Sequence, residues 1–142
     1  TLRGPSKKLP AGRRDVAGTA EVSLLRKILG RSGEDRAAKF LVDQGYVVLE
    51  RNYRAPHGEI DLIAMDGGMV VFVEVKTRTT SAYGAPELAV NPRKQERMVK
   101  TALGYLRFKR LHQMPCRFDV VAISGEQVEL IRNAFEMERG RY

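Results

Sequence analysis

Cysteine is almost absent: Cys116 is the single one in 142 residues, so no internal disulfide can form and the chain is no disulfide scaffold. Histidine is scarce too, with only His57 and His112. They form no Cys/His cluster of the kind that holds zinc, and neither has a serine or cysteine partner at a spacing that suggests a nucleophilic triad. No apolar run approaches the roughly 18 residues a membrane-spanning helix needs. The first 30 residues hold no continuous apolar segment of the kind a secretory signal carries. These absences predict a soluble, cytoplasmic protein with no membrane partner, and no internal repeat divides it.

What the chain has in excess is positive charge, 25 Lys+Arg against 17 Asp+Glu, a formal +8. The surplus is uneven. Residues 1–33 carry eight basic side chains (Arg3, Lys7, Lys8, Arg13, Arg14, Arg26, Lys27, Arg31) against Asp15 and Glu21, a balance of +6. From Arg93 to Arg110 there are seven basic residues and one acid, Glu96, again +6, so the rest of the body sums to −4. This polarisation suits a polyanion held by basic segments while a group of carboxylates faces it.

Residues 1–20 are rich in Gly, Pro, Ser, Lys and Arg; they cannot bury enough apolar surface to offset their ordering entropy, which predicts a flexible basic arm. The remainder, 21–142, reads as one domain. An apolar stripe over Leu24, Leu25, Ile28 and Leu29 is out of phase with the next, formed by Ala37, Ala38 and Leu41, so two helices or a kinked one are expected. Ser32 followed by Asp35 resembles a capping box and starts a helix at about 33–44, closed by Gly45. The period then changes to two. Strands are expected over 46–53, 59–65 and 69–77, with Asp66-Gly67-Gly68 as a hairpin turn. Residues 79–90 read as a loop. Asn91-Pro92 opens a helix that runs to about Leu111, and strands over 117–123 and 127–131 close the chain. The order is αβββαββ, an α/β fold with a mixed central sheet flanked by helices.

On the third strand Phe72, Glu74, Lys76 and Arg78 share one face and Val71, Val73 and Val75 the other. On the second, Glu59, Asp61 and Ile63 share a face, with Ile60 and Leu62 opposite. A turn centred on Gly67-Gly68 pairs Asp61 with Glu74, their Cβ atoms about 5 Å apart, where like charges repel unless a cation intervenes. A turn centred on Asp66-Gly67 opposes Glu59 to Glu74 instead. Either register keeps the acids on one face. Lys76 reaches the same face about 7 Å further on, where it could assist an attacking water. Glu34 shares the face of Ala37, Ala38 and Leu41, a costly position for a carboxylate unless something there needs it. On the later helix Arg93, Lys94, Arg97, Lys100 and Arg107 span one side, with Gly104 among them; Arg54 and Arg78 can extend that surface toward phosphates. Taken singly each feature has an ordinary explanation, an exposed ion pair or a solvated face.

Taken together, Glu34, Asp61 and the run Glu74-Val75-Lys76 resemble the PD-(D/E)xK nucleases with a restriction-endonuclease-like core, in an arrangement close to that of archaeal Holliday-junction resolvases. Gly33-Glu34, Gly45-Tyr46, Asn52-Tyr53, Gly58 through Ile63, Phe72 through Arg78, Lys94 and Arg117 through Val121 resemble the bacterial YraN family over about 33–135. The resemblance implies a Mg²⁺- or Mn²⁺-dependent enzyme that hydrolyses phosphodiester bonds in DNA, including branched or junction DNA. By carry-over, Asp61, Glu74 and the Val75 carbonyl hold the metal, Glu34 binds it or orients its water, and Lys76 assists the water. Residue 60 is Ile where the superfamily's name has Pro. Analogy with the resolvases also implies a homodimer. The alternative readings are a non-catalytic nucleic-acid-binding module that keeps this fold, and a structural domain whose acids form internal ion pairs.

Overall fold

The computed structural model describes residues 32–78 and 90–137, together with Leu24. The chain divides into two units, Thr1–Arg31 and Ser32–Tyr142, and the architecture below is that of the second. The basic arm expected over 1–20, the stripe beyond Leu24 and nearly all of the loop expected over 79–90 lie outside the described residues.

Helix α1 covers residues 32–43. Strands β1 (Val47–Ala55), β2 (Gly58–Asp66) and β3 (Met69–Arg78) follow, then helix α2 (Pro92–Phe108) and strands β4 (Cys116–Ser124) and β5 (Gln127–Phe135). They form one five-stranded sheet in the order β1-β2-β3-β4-β5. Every neighbouring pair is antiparallel except β3 and β4, which run parallel; a parallel pair needs a long crossover, and α2 lies within it in sequence. The α/β class and the element order expected from periodicity are those observed. No helix among the described residues is long and apolar enough to cross a membrane.

The two faces of the sheet are covered by different helices. Ala37 and Leu41 of α1 pack with Tyr46, Leu62, Val71, Val73, Val121 and Ile123. Met98, Val99, Ala102, Tyr105 and Leu106 of α2 pack with Ile63, Phe72, Phe118 and Val120 on the other side. Rings thread that second cluster: Phe72 stacks on Phe118 at 5.5 Å and Phe118 on Phe135 at 4.7 Å, while Tyr105 meets Tyr53 edge-on at 5.0 Å. Coverage on both sides explains why β3 is so apolar, since Val70 to Val73 are all fully buried.

Element ends differ from the sequence reading for local reasons. Ser32 is already helical, and the Asp35 carboxylate accepts from Arg51 of β1, so that acid is tied to the sheet. The start of α2 follows expectation: Asn91 caps it, its side chain accepting from the Lys94 N–H at 2.9 Å, with Pro92 next. Its end comes three residues earlier than expected. Arg110 adopts a left-handed φ of 60°, and the Leu111 N–H donates to the Leu106 carbonyl while the Arg110 N–H donates to that of Arg107, a closure that satisfies the last carbonyls without glycine.

One strand reading is corrected. Ile60 was expected to face away from Ile63, but both lie in the α2-side cluster. The cause is a break in the facial alternation of both strands at facing positions. On β1 the half-buried positions run Val48 and Glu50, then Tyr53 and Ala55, and between them Asn52 takes φ 53°. Arg51 pairs with Leu62 and Tyr53 with Ile60, so the register holds across Asn52 and Asp61 while both strands turn over there; the ribbon's register shift lies apart, between Val48 and Glu50.

A buried ion pair ties the α1 side together. Asp119 is fully buried and accepts from Arg117 Nε at 2.9 Å and Nη2 at 3.0 Å, from Tyr46 Oη at 3.4 Å and from the Asn133 N–H at 2.9 Å. Arg117 Nη2 also donates to Tyr46 Oη and Asp66 Oδ2. The motif Arg117-Phe118-Asp119 is therefore a latch between β4, β5, the end of β2 and Tyr46 just ahead of β1. Arg117→Ala leaves Asp119 buried without its counter-charge and is expected to cost about 3 to 5 kcal/mol in urea denaturation, with Arg117→Lys restoring only part because an ammonium lacks the two-pronged geometry.

Candidate active site

Asp61 and Glu74 meet where β2 leaves β3. The register runs Asp66↔Met69, Ile63↔Phe72, Leu62↔Val73, which is the Gly67-Gly68 turn, and one more step would oppose Asp61 to Glu74. Pairing stops there. In the antiparallel alternation the next donor of β3 toward β2 is the Val75 N–H, and it donates to Asp61 Oδ2 at 2.8 Å. A side-chain carboxylate thus takes the place of the backbone acceptor, which ends the ladder and aims Asp61 into the fork. The left-handed Asn52 of β1, where the alternation of both strands breaks, stands opposite that turn of the chain.

A cavity of about 230 Å³ opens at the fork, lined by Gly58, Glu59, Asp61, Glu74, Lys94, Arg97 and Met98. Its floor is acidic and its α2 wall basic. Glu74 is 6% exposed, and Lys94 Nζ donates to its Oε2 at 2.5 Å. Gly58 packs beside Thr101 and Arg97 of α2, in a backbone conformation of φ 152° that L side chains rarely adopt. On the other face Gly33 brings α1 up to the end of β3, where a Cβ would come within 2.5 Å of Thr77 Oγ1.

Electrostatics follow from crowding acids in a dry place. Burial, and next the charge of Glu74, push Asp61 from 3.8 up to about 7; the Val75 N–H bond opposes the rise, Glu34 adds to it, and Lys94 opposes it. Burial also draws the Lys76 ammonium below its usual range, against the pull of Glu74, with Arg78 and Lys94 adding to the fall.

The expected residues separate into groups. Asp61, Glu74 and Lys94 share the cavity, and Lys76 lies within reach of the charge of Glu74. Glu34 is half-buried on α1 and its charge is felt at Asp61. Among the described residues no three His, Cys, Asp or Glu side chains gather as a metal-binding group. Arg93, Arg97, Lys100 and Arg107 are exposed on α2, a stripe with Gly104 at spacings of four, three, four and three residues. Arg97 is its member at the cavity. Arg54 is exposed and pairs with Glu59 at 3.4 Å, beside the same cavity, and Arg78 is half-buried at the end of β3.

The residues fit a hard divalent cation in the Mg²⁺ manner, which uses one or two carboxylates and keeps several waters. Two adjacent carboxylates, Glu74 buried and Asp61 half-buried, crowd the fork, and the Val75 backbone is already bound to Asp61. Two features were not readable in advance. Lys94 was grouped with the outward basic stripe, but its ammonium turns in to Glu74, and Gly58, Glu59 and Met98 enter the cavity lining through the approach of α2. The sequence signal for Lys94 was its place in the first turn of a helix, the end that disfavours a cation.

Comparison with known proteins adds the family. The model of the Uncharacterised protein family UPF0102 matches residues 33–123. A UPF0102 protein of Syntrophus aciditrophicus is 53% identical over 116 residues, covering 79% of this chain and 91% of that protein. One of Thermodesulfovibrio yellowstonii is 47% identical over 107 residues, 75% and 95% of the two chains, and one of Geobacter sulfurreducens 47% identical over 116 residues, 78% and 91%. The matched segment contains Glu34, Asp61, Glu74, Lys76 and Lys94, the whole of the site described above, and the chain belongs to the UPF0102 family, the YraN group its motifs resemble.

Proposed function

We propose that this chain is a divalent-metal-dependent nuclease that hydrolyses phosphodiester bonds in DNA, with branched or junction DNA the substrate class its resemblance suggests. The observation that carries the reading is the pair of buried Glu74 and half-buried Asp61 brought together in one cavity, with Asp61 pushed up to about 7, under a wall that carries Lys94 and Arg97. Asp61, Glu74 and the Val75 carbonyl hold Mg²⁺ or Mn²⁺. When bound, the ion lowers the pKa of a water and polarises the scissile phosphate. The α2 stripe of Arg93, Arg97, Lys100 and Arg107 holds the backbone phosphates, and Arg54 and Arg78 extend it. Lys76, drawn below its usual range, is suited to exchange a proton with the attacking water, which Glu34 orients from α1.

A second reading is a non-catalytic nucleic-acid-binding module. It is favoured by Lys94, because Glu74 already has a counter-charge within hydrogen-bond distance.

Cleavage of linear, single-stranded and four-way DNA with Mg²⁺ or Mn²⁺ separates the two. The nuclease reading expects metal-dependent cutting that Asp61→Asn and Glu74→Gln lower by at least about a hundredfold; binding without cutting by purified wild-type protein favours the module. Arg97→Ala and Lys100→Ala are each expected to flatten the dependence of log K on log salt by about 0.7 to 0.9, read by fluorescence anisotropy. Stability supplies a third check. Because Asp61 holds its proton to about 7 in the folded chain against 3.8 as the ordinary value, the folded state binds more protons between those values, and its stability falls as pH rises through that window. With EDTA present, Asp61→Asn is therefore expected to raise the urea midpoint at pH 8 and to shrink the difference between pH 5 and pH 8.

A further inference from the structure

Lys94 stands in a position that helix energetics disfavour. It lies in the first turn of α2, where the N–H ends of the helix repel a cation, and that turn contains no acid. Its backbone is pinned there by the Asn91 cap, which accepts from its N–H at 2.9 Å. From this anchored start the side chain crosses the cavity to Glu74, Nζ to Oε2 2.5 Å. The exposed stripe of α2 would have kept the ammonium in water at less cost. The carboxylate it reaches is one of two acids that crowd the fork, and the other, Asp61, accepts from the Val75 N–H.

We infer that Lys94 is a built-in counter-cation that competes with a divalent ion for Glu74, a positioning residue that sets how tightly the site takes its metal. The inference rests on the metal-binding part of the proposed function. An ammonium and a divalent ion both seek the lone pairs of the same carboxylate. While the ammonium holds Oε2, Glu74 is oriented and unable to give that oxygen to another cation; the divalent ion gains Glu74 only by displacing it. Competition of this kind weakens metal binding by the free energy of the lysine contact, and it keeps the two acids together when no metal is bound. Arg97, on the same wall of the cavity, serves as a control, because it carries the same charge while the ion pair to Glu74 is made by Lys94.

The test is Mn²⁺ affinity, measured by electron paramagnetic resonance titration and by the rise in melting temperature with Mn²⁺, for the full chain and for Lys94→Met, Lys94→Gln, Lys94→Arg, Arg97→Met and Asp61→Asn, each first checked for folding by circular dichroism. Lys94→Met and Lys94→Gln are expected to bind Mn²⁺ about fivefold to tenfold more tightly than wild type and to gain more melting temperature from it. Lys94→Arg, which retains the charge, should stay within about twofold of wild type, as should Arg97→Met. Asp61→Asn should lose binding. If wild type binds Mn²⁺ and Asp61→Asn does not, yet neither neutral Lys94 variant binds more tightly, the competition is overturned and the metal site stands. Equal tightening by Arg97→Met also overturns it, since the effect is then one of field and not of contact. If Asp61→Asn binds as wild type does, or no variant binds at all, the metal-binding reading falls and the competition with it.

Discussion

The Val75 N–H to Asp61 hydrogen bond is the contact on which the site depends. A backbone donor on a central strand must be satisfied, and here the satisfying oxygen belongs to a side chain. That substitution ends the β2–β3 ladder one step beyond Leu62↔Val73 and opens a fork. The fork lets two carboxylates sit together between the covering helices. Without it the ladder would continue through Asp61 and Glu74 as an ordinary strand pair, and their charges would face each other across the sheet.

Burying two acids side by side costs free energy, and the surrounding structure shows how that cost is met. Asp61 retains its proton to about 7, Glu74 takes the Lys94 ammonium, and the rigid strands beneath are locked on both sides. On the α1 side the lock is polar, the Arg117–Asp119 pair with Tyr46, Asp66 and the Asn133 N–H around it. On the α2 side it is a run of stacked rings from Phe72 to Phe135. Such a scaffold resists the repulsion between the acids, which is how a folded protein keeps an unfavourable local arrangement where chemistry needs it.

Much of the fold was legible because its signals are local. Alternation marked β3, Asp66-Gly67-Gly68 marked the turn that fixes register, and Asn91-Pro92 marked the start of α2. Misreadings came where a distant contact outweighs a local preference. Asp35 turns to Arg51 on β1, and Ile60 joins the face of Ile63 because the alternation of β1 and β2 breaks at the facing residues Asn52 and Asp61. Neither depends on residues close enough in sequence for periodicity to register.

The candidate site divides the same way. The expectation that Asp61, Glu74 and Lys76 share a face follows from a strand's two-residue period, and that of a basic stripe on α2 from the helical period. The break of alternation at Asp61, the turn of Lys94 from the stripe to Glu74 and the cavity at the fork are decisions of the tertiary structure. They rest on how closely a helix and a hairpin far apart in the chain can approach, and packing sets that distance only when the whole sheet is assembled.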